Sequence, residues 1–200
     1  MAIKLISDLH FNHKNILKYE NNRFQTSEER NNYIIEKWNN AVFEEDEVYI
    51  LGDIGFGSSE ALIPIYKALK GHKHLIIGNH DRKLLKNIRL KEVFESIEEK
   101  KVMTLNSIRI TFNHEPITHY DCQFYGGEMY YGHVHDGSSW VAVLQEQELL
   151  KSLDIPTKMY NVGISCPYID YAPRTLEEIK KGFEEWYITN REEVMSYGKS

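Results

Sequence analysis

Five times in this 200-residue chain an apolar run short enough for one buried strand stops on glycine, aspartate or histidine. Leu75-Ile76-Ile77 leads into Gly78-Asn79-His80-Asp81, Val48 to Leu51 into Gly52-Asp53, and an early apolar run into Asp8-Leu9-His10. Ile108 to Phe112 is followed by His114, and Met129-Tyr130-Tyr131 by Gly132-His133-Val134-His135. In open α/β sheets the carboxyl ends of the strands form the edge where groups distant in sequence meet. The pattern therefore predicts a sheet whose single edge gathers Asp8, His10, Asp53, Asn79, His114, His133 and His135. In an extended segment residues two apart project to one side, so Asp8 with His10, and His133 with His135, are expected to act as chelating pairs.

Helical spacing fills the first half between these runs. Ile34, Trp38, Ala41 and Val42 share one face of a helix for which Ser27 is the expected cap, and Leu62, Ile65, Tyr66 and Leu69 share another that ends at Gly71. Strands and helices in alternation predict an α/β fold with a mostly parallel sheet. Asn106-Ser107 reads as a hairpin turn between 101–105 and 108–113. Residues 115–128 read as a long loop, a candidate cover for a site. Trp140 to Leu144 is strand-like, Glu146 to Leu153 reads as a short helix, and Thr175 with Glu178 is a capping box for a last helix. One domain over 1–190 is expected, with 191–200 as a frayed tail.

With 24 basic against 30 acidic residues, the formal charge is −6, which argues against a basic surface for nucleic acid or anionic lipid. No apolar run approaches the roughly 18–20 residues of a membrane span, and the start lacks a signal-peptide pattern. A cytoplasmic protein is expected. Cys122 and Cys166 form no CxxC motif and are read as reduced thiols.

Seven oxygen and imidazole donors exceed the roughly four that a tetrahedral zinc takes, and suit two metals sharing a bridge. Asp53 is the natural bridge, since one carboxylate offers two oxygens. Imidazole, carboxylate and amide without thiolate point to manganese, iron, zinc or a similar ion. Two divalent cations against Asp8, Asp53 and a bridging hydroxide leave a local charge of about +1, which favours a phosphate ester. His80 is the spare imidazole, suited to protonating a departing alkoxide. His72, His74 and His119 read as structural or solvated; His13, in the loop after the first motif, reads as a surface residue, with contact to a phosphate oxygen as the alternative.

In order along the chain, Asp8-x-His10, Gly52-Asp53, Gly78-Asn79-His80-Asp81, His114 and Gly132-His133-x-His135 resemble the complete motif set of the calcineurin-like metallophosphoesterases. Asp8-Leu9-His10-Phe11-x-His13 and Asn161-Val162-Gly163 look most like the small single-domain bacterial and phage members. The resemblance implies an αββα four-layer sandwich of two mixed sheets flanked by helices. It implies one metal on Asp8, His10, Asp53 and His135, and another on Asp53, Asn79, His114 and His133. It also implies hydrolysis of a small phosphodiester or phosphomonoester, with metal-bound hydroxide attacking phosphorus and His80 as general acid. The sequence departs from the pattern at Phe56, where many relatives carry a carboxylate that orients the catalytic histidine. Asp81 is the candidate to replace it, with a helix N-cap as its other reading. A nuclease, and a non-catalytic metal-binding scaffold of the same fold, are the alternatives.

Overall fold

A computed structural model describes residues 1–20 and 23–198. The first half alternates as the periodicity predicts: β1 (Ile3–Ile6), α1 (Ser27–Ala41), β2 (Glu47–Leu51), α2 (Ser59–Ala68), β3 (His72–Ile76), the short helical turns α3 (Asp81–Leu84) and α4 (Ile88–Lys91), then β4 (Ser96–Glu98). The second half holds β5 (Lys100–Leu105), β6 (Ile108–Asn113), β7 (Glu128–Tyr131), α5 (Ser138–Ser152), β8 (Met159–Asn161), β9 (Arg174–Thr175) and α6 (Leu176–Ser196).

Two mixed sheets result. One has the order β4-β3-β2-β1-β9, parallel except for β9, and the other the order β5-β6-β7-β8, with β5 antiparallel to β6 and the rest parallel. Between them lies the core, where Tyr49 of β2 meets Phe112 of β6 at 5.1 Å between ring centroids. Ile34 and Trp38 of α1 and Leu62 and Tyr66 of α2 are fully buried and belong to the same continuous apolar cluster. On the second sheet, Phe183 of α6 packs edge-on against Tyr160 of β8, and Trp186 stacks on Trp140 of α5. These are the helical and sheet layers of the expected sandwich. At one edge the sheets are tied together: Ser7, just past β1, bridges to Gly163, just past β8. That tie lies directly beside Asp8.

Local chemistry accounts for most element ends. Thr26, one residue before the expected cap, accepts from the Glu29 amide at the start of α1. Ser58 caps α2, and the Thr175–Glu178 capping box is present in both directions. Asn106 and Ser107 both take positive φ, as a tight hairpin turn requires.

Three expectations are corrected. Residues 138–152 form one helix rather than a strand followed by a helix, because Trp140, Leu144 and Gln147 repeat at helical spacing and are buried together. The tail does not fray from 191: α6 runs to Ser196, with Val194 buried and Arg191 paired to Glu148 at 2.8 Å, while residues 199–200 lie outside those described. Most of the 115–128 loop does not cover the strand-end edge. Tyr120 accepts from the Lys158 amide and Gln123 donates to the Pro156 carbonyl, so it docks on the approach to β8.

Candidate metal centre

All seven donors expected from the strand ends come to the edge where the sheets are tied, but not through extended backbone. Asp8, His10, Asp53, His133 and His135 have φ of 59°, 46°, 57°, 70° and 51°, in the left-handed region that non-glycine residues seldom occupy. The expected strand-like alternation is replaced by successive left-handed turns. Such strain persists only where surroundings over-determine it. Here the turns brace one another. The Asp8 amide donates to the Gly52 carbonyl (3.1 Å), the His10 amide to the Asp53 carbonyl (2.9 Å), and the Gly132 amide to the His114 carbonyl (2.8 Å). A Cβ on Gly52 would strike the His114 ring and Gly78, and one on Gly132 would strike Ser7 and the Asp8 carboxylate. Glycine is demanded at both by close approach.

Asp8, His10, Asp53 and His114 are each at most 3% exposed. Asp8, His10 and His135 can each bring one donor atom within 4.8 Å of the others, and so can Asp8, Asp53 and His114. Asp53 faces two ways: Oδ2 lies 3.8 Å from His10 Nε2, and Oδ1 lies 3.6 Å from His114 Nε2. Asn79 Oδ1 lies 2.9 Å from His114 Nε2 and 3.1 Å from His133 Nδ1.

The donors present fit divalent cations. His114 Nδ1 stands 2.7 Å from the Leu51 carbonyl, which can only accept, so that nitrogen is the donor and Nε2 is the atom left to offer a lone pair to a metal. That lone pair faces the Asn79 oxygen. His10 Nε2 and His135 Nε2 face each other at 3.2 Å. Burial first, and then the facing His135, push the His10 ring down to about 2, so it stays neutral. Burial raises the Asp53 carboxyl, with His114 opposing and Asp8 reinforcing the shift. Among the described residues only histidines pair with Asp53, and no lysine or arginine pairs with Asp8 or Asp53. Converging lone pairs and buried carboxylates without a resident cation form the donor set that a divalent metal completes.

His80 stands at the rim, its side chain 47% exposed, with Nε2 4.0 Å from Asp53 Oδ2. Asp81 does not reach it. Its fully buried carboxylate accepts from the amides of Asp53 (2.9 Å), Ile54 (2.9 Å) and Gly78 (2.8 Å), locking the β2 and β3 turns together. The expected catalytic part of Asp81 is thus corrected to a structural one: its oxygens are spent on backbone donors. His13, expected at the surface, stacks face to face on Phe56, with centroids 3.9 Å apart. His72 and His74 lie away from the centre, bonded to Glu95 and to Ser96.

Two supporting residues escaped the sequence reading. Arg30, only 1% exposed, pairs with Glu20 at 2.8 Å and donates to the Leu9 carbonyl at 2.6 Å, between two of the donors. A signal existed, since Arg30 falls on the same face of α1 as Ile34 and Trp38. Asn161, recognised only as part of a motif, donates to the His135 carbonyl at 2.6 Å and accepts from the Gly163 amide at 2.8 Å.

A family model described as calcineurin-like phosphoesterase matches residues 1–187. An uncharacterized protein of Methanocaldococcus jannaschii is 33% identical over 185 residues, 92% of each chain. The gene 66 protein of Mycobacterium phage L5 is 37% identical over 78 residues, 38% of this chain and 37% of its own length. Among solved structures, a protein of unknown function from Aquifex aeolicus superimposes with a TM-score of 0.66 at 28% identity, covering 90% of this chain and 98% of that one.

Proposed function

The chain belongs to the calcineurin-like phosphoesterase family, and from that premise we propose that it hydrolyses a small phosphodiester at a centre of two divalent cations. The observation that carries this reading is Asp53, whose two oxygens address different histidines, His10 and His114. Asp8, His10, Asp53 and His135 would hold one ion, and Asp53, Asn79, His114 and His133 the other. When bound, such ions supply positive charge for the phosphate and make a coordinated water acidic enough to attack phosphorus. Four imidazoles favour manganese, iron or zinc over magnesium.

The chain's own groups do the rest. Asp53 and Asp8 are fixed by the braced turns, and the His133 amide donates to both Asp8 oxygens, at 3.1 and 3.0 Å. His80, at the rim, gives a proton to the leaving oxygen as general acid. Separate cavities border the cluster: one is lined by His10, His80 and His135, the other by Asn79 and His114. A diester, with a substituent on each side of phosphorus, uses both. Among the described residues no helix is long and apolar enough to cross a membrane. Two unpaired cysteines fit a reducing compartment, in keeping with the cytoplasm.

Elemental analysis after metal loading, with an assay on a nitrophenyl diester, tests the proposal. Close to two metals per chain and chelator-sensitive turnover are expected. A saturating content of one metal would refute the paired centre, and two metals without turnover on any ester would leave a binding scaffold.

A further inference from the structure

The two cavities beside the cluster differ in kind. The larger, of about 570 Å³, is in the usual range for small-molecule sites. It opens on the His80 side, where the proton for a leaving group would come from. Its wall is the stacked pair His13 and Phe56, with Ile16 and Val134 adding aliphatic surface. Phe56 also lies 4.9 Å from the His80 ring. Among the described residues no lysine or arginine lines this cavity, and the two carboxylates that do are Glu20, already held by Arg30, and Asp136. Beyond the metal centre itself, a second phosphate or carboxylate entering here would meet no lysine or arginine and would face Asp136. A flat, uncharged ring would meet apolar and π surface instead.

The smaller cavity, of about 270 Å³, is lined by Asn79, Asn113, Glu115 and the Arg82–Glu99 ion pair, closed at 3.0 Å. It offers hydrogen bonds and no comparable apolar wall. A ring therefore belongs in the larger space, beside His80.

We propose that the larger cavity seats the leaving group and selects an uncharged one bearing a flat aromatic ring, with Phe56 as the specificity-determining contact. The orientation rests on the phosphodiesterase reading, but ring selection is a binding property that can be measured without turnover. Phe56 replaces a carboxylate expected from the family pattern, so the same substitution that removes a charge near His80 creates the ring's seat.

The test is calorimetric titration of the metal-loaded protein with methylphosphonate, phenylphosphonate and a nucleoside 5′-phosphonate, none of which presents a scissile ester. Phenylphosphonate is expected to bind about tenfold more tightly than methylphosphonate, near the upper end of what one aromatic contact contributes. Phe56→Ala should shrink that preference to within about twofold, leaving methylphosphonate affinity and metal content unchanged. Phe56→Leu, which keeps apolar bulk without the ring, guards against a folding defect and should also lose most of the preference. Whether the nucleoside compound matches phenylphosphonate tells if the ring is carried on the phosphorus side or one sugar away. Equal binding of phenyl and methyl compounds, binding of none, or a preference that survives both variants would overturn the inference. Ring selection without turnover on any ester would sink the hydrolase reading alone, and turnover without ring selection would sink this one alone.

Discussion

The strand-end turns and the wall of the larger cavity are neighbours built on opposite terms. In the turns, five donors hold left-handed φ values and are cross-braced by backbone hydrogen bonds, buried carboxylates and glycine contacts. In the wall, Phe56 is held by ring stacking, Tyr19 is 77% exposed, and His13 Nδ1 is buried without a partner. The first arrangement fixes donor positions to tenths of an ångström, as metal coordination demands. The second can change side chains without undoing a single turn. On the proposed reading, chemistry is placed on the rigid part, and choice of substrate on the replaceable part.

That contrast is most sharply broken at Asp53. Asp53→Asn removes the charge shared by both sides of the cluster while keeping the shape of the side chain, so metal content should fall below two and hydrolysis to background. Elemental analysis and turnover on the purified variant check this. Full metal content with near-native rate would show that the turns do not carry the chemistry.

The next largest effect is expected at His80, at the boundary between the two regions. His80→Ala should keep both metals and lose about 10²- to 10⁴-fold in rate, as for removal of a positioned proton donor. An alkyl ester, which leaves poorly without a proton, should suffer far more than an aryl one. Equal losses on matched aryl and alkyl diesters would move His80 from acid catalysis to phosphate positioning.

Much of the rigid region was legible in the sequence, for a physical reason. A buried strand needs an apolar run, and a polar group at its end interrupts that run visibly, so the seven candidate donors that meet at the edge, from Asp8 to His135, stand out in the sequence. Their left-handed backbone could not, because no residue pattern marks a non-glycine residue forced to positive φ by tertiary contacts. Arg30 reads as one more charge on a helix until Glu20 and the Leu9 carbonyl close around it. In α5, the β-prone Trp140 to Leu144 stretch outweighed the helical repeat that the packing obeys. The cavity wall was least legible: His13, Phe56 and Ser138 come from three separate segments with no shared spacing.

Asp81 offers a smaller break, through structure alone. Each hydrogen bond from a backbone amide to its carboxylate is worth about 1.5–3 kcal/mol, and truncation would leave three amides buried without acceptors. Asp81→Ala should therefore lower the melting temperature markedly and weaken metal binding by about 10- to 100-fold, as loss of a supporting contact does. Once metal is saturating, the relative rates on aryl and alkyl esters should match those of the native chain. A selective loss on alkyl esters would restore to Asp81 the role of orienting His80.

The smallest effect expected is also the one that pits the two regions against each other. Phe56 lies 4.9 Å from His80 and stacks on His13, yet it accepts no hydrogen bond, so nothing at this position holds the His80 ring in one orientation. Phe56→Asp would put a carboxylate acceptor there, able to take an N–H from His80 and aim the ring at the leaving oxygen. The same change would strip the apolar face from the cavity and add a negative charge beside any leaving group. Alkyl diesters, which need the proton and lack a ring, should gain several-fold in kcat/KM, within the range that proton-donor placement commands. Aryl diesters, which need little proton and use the ring, should lose several-fold, within the range of one aromatic contact. Matched kcat/KM values for the two esters, with metal content confirmed, give the crossing directly. If both esters lose equally, Phe56 serves only to pack His13, and the division between rigid chemistry and replaceable specificity must be drawn elsewhere in the wall.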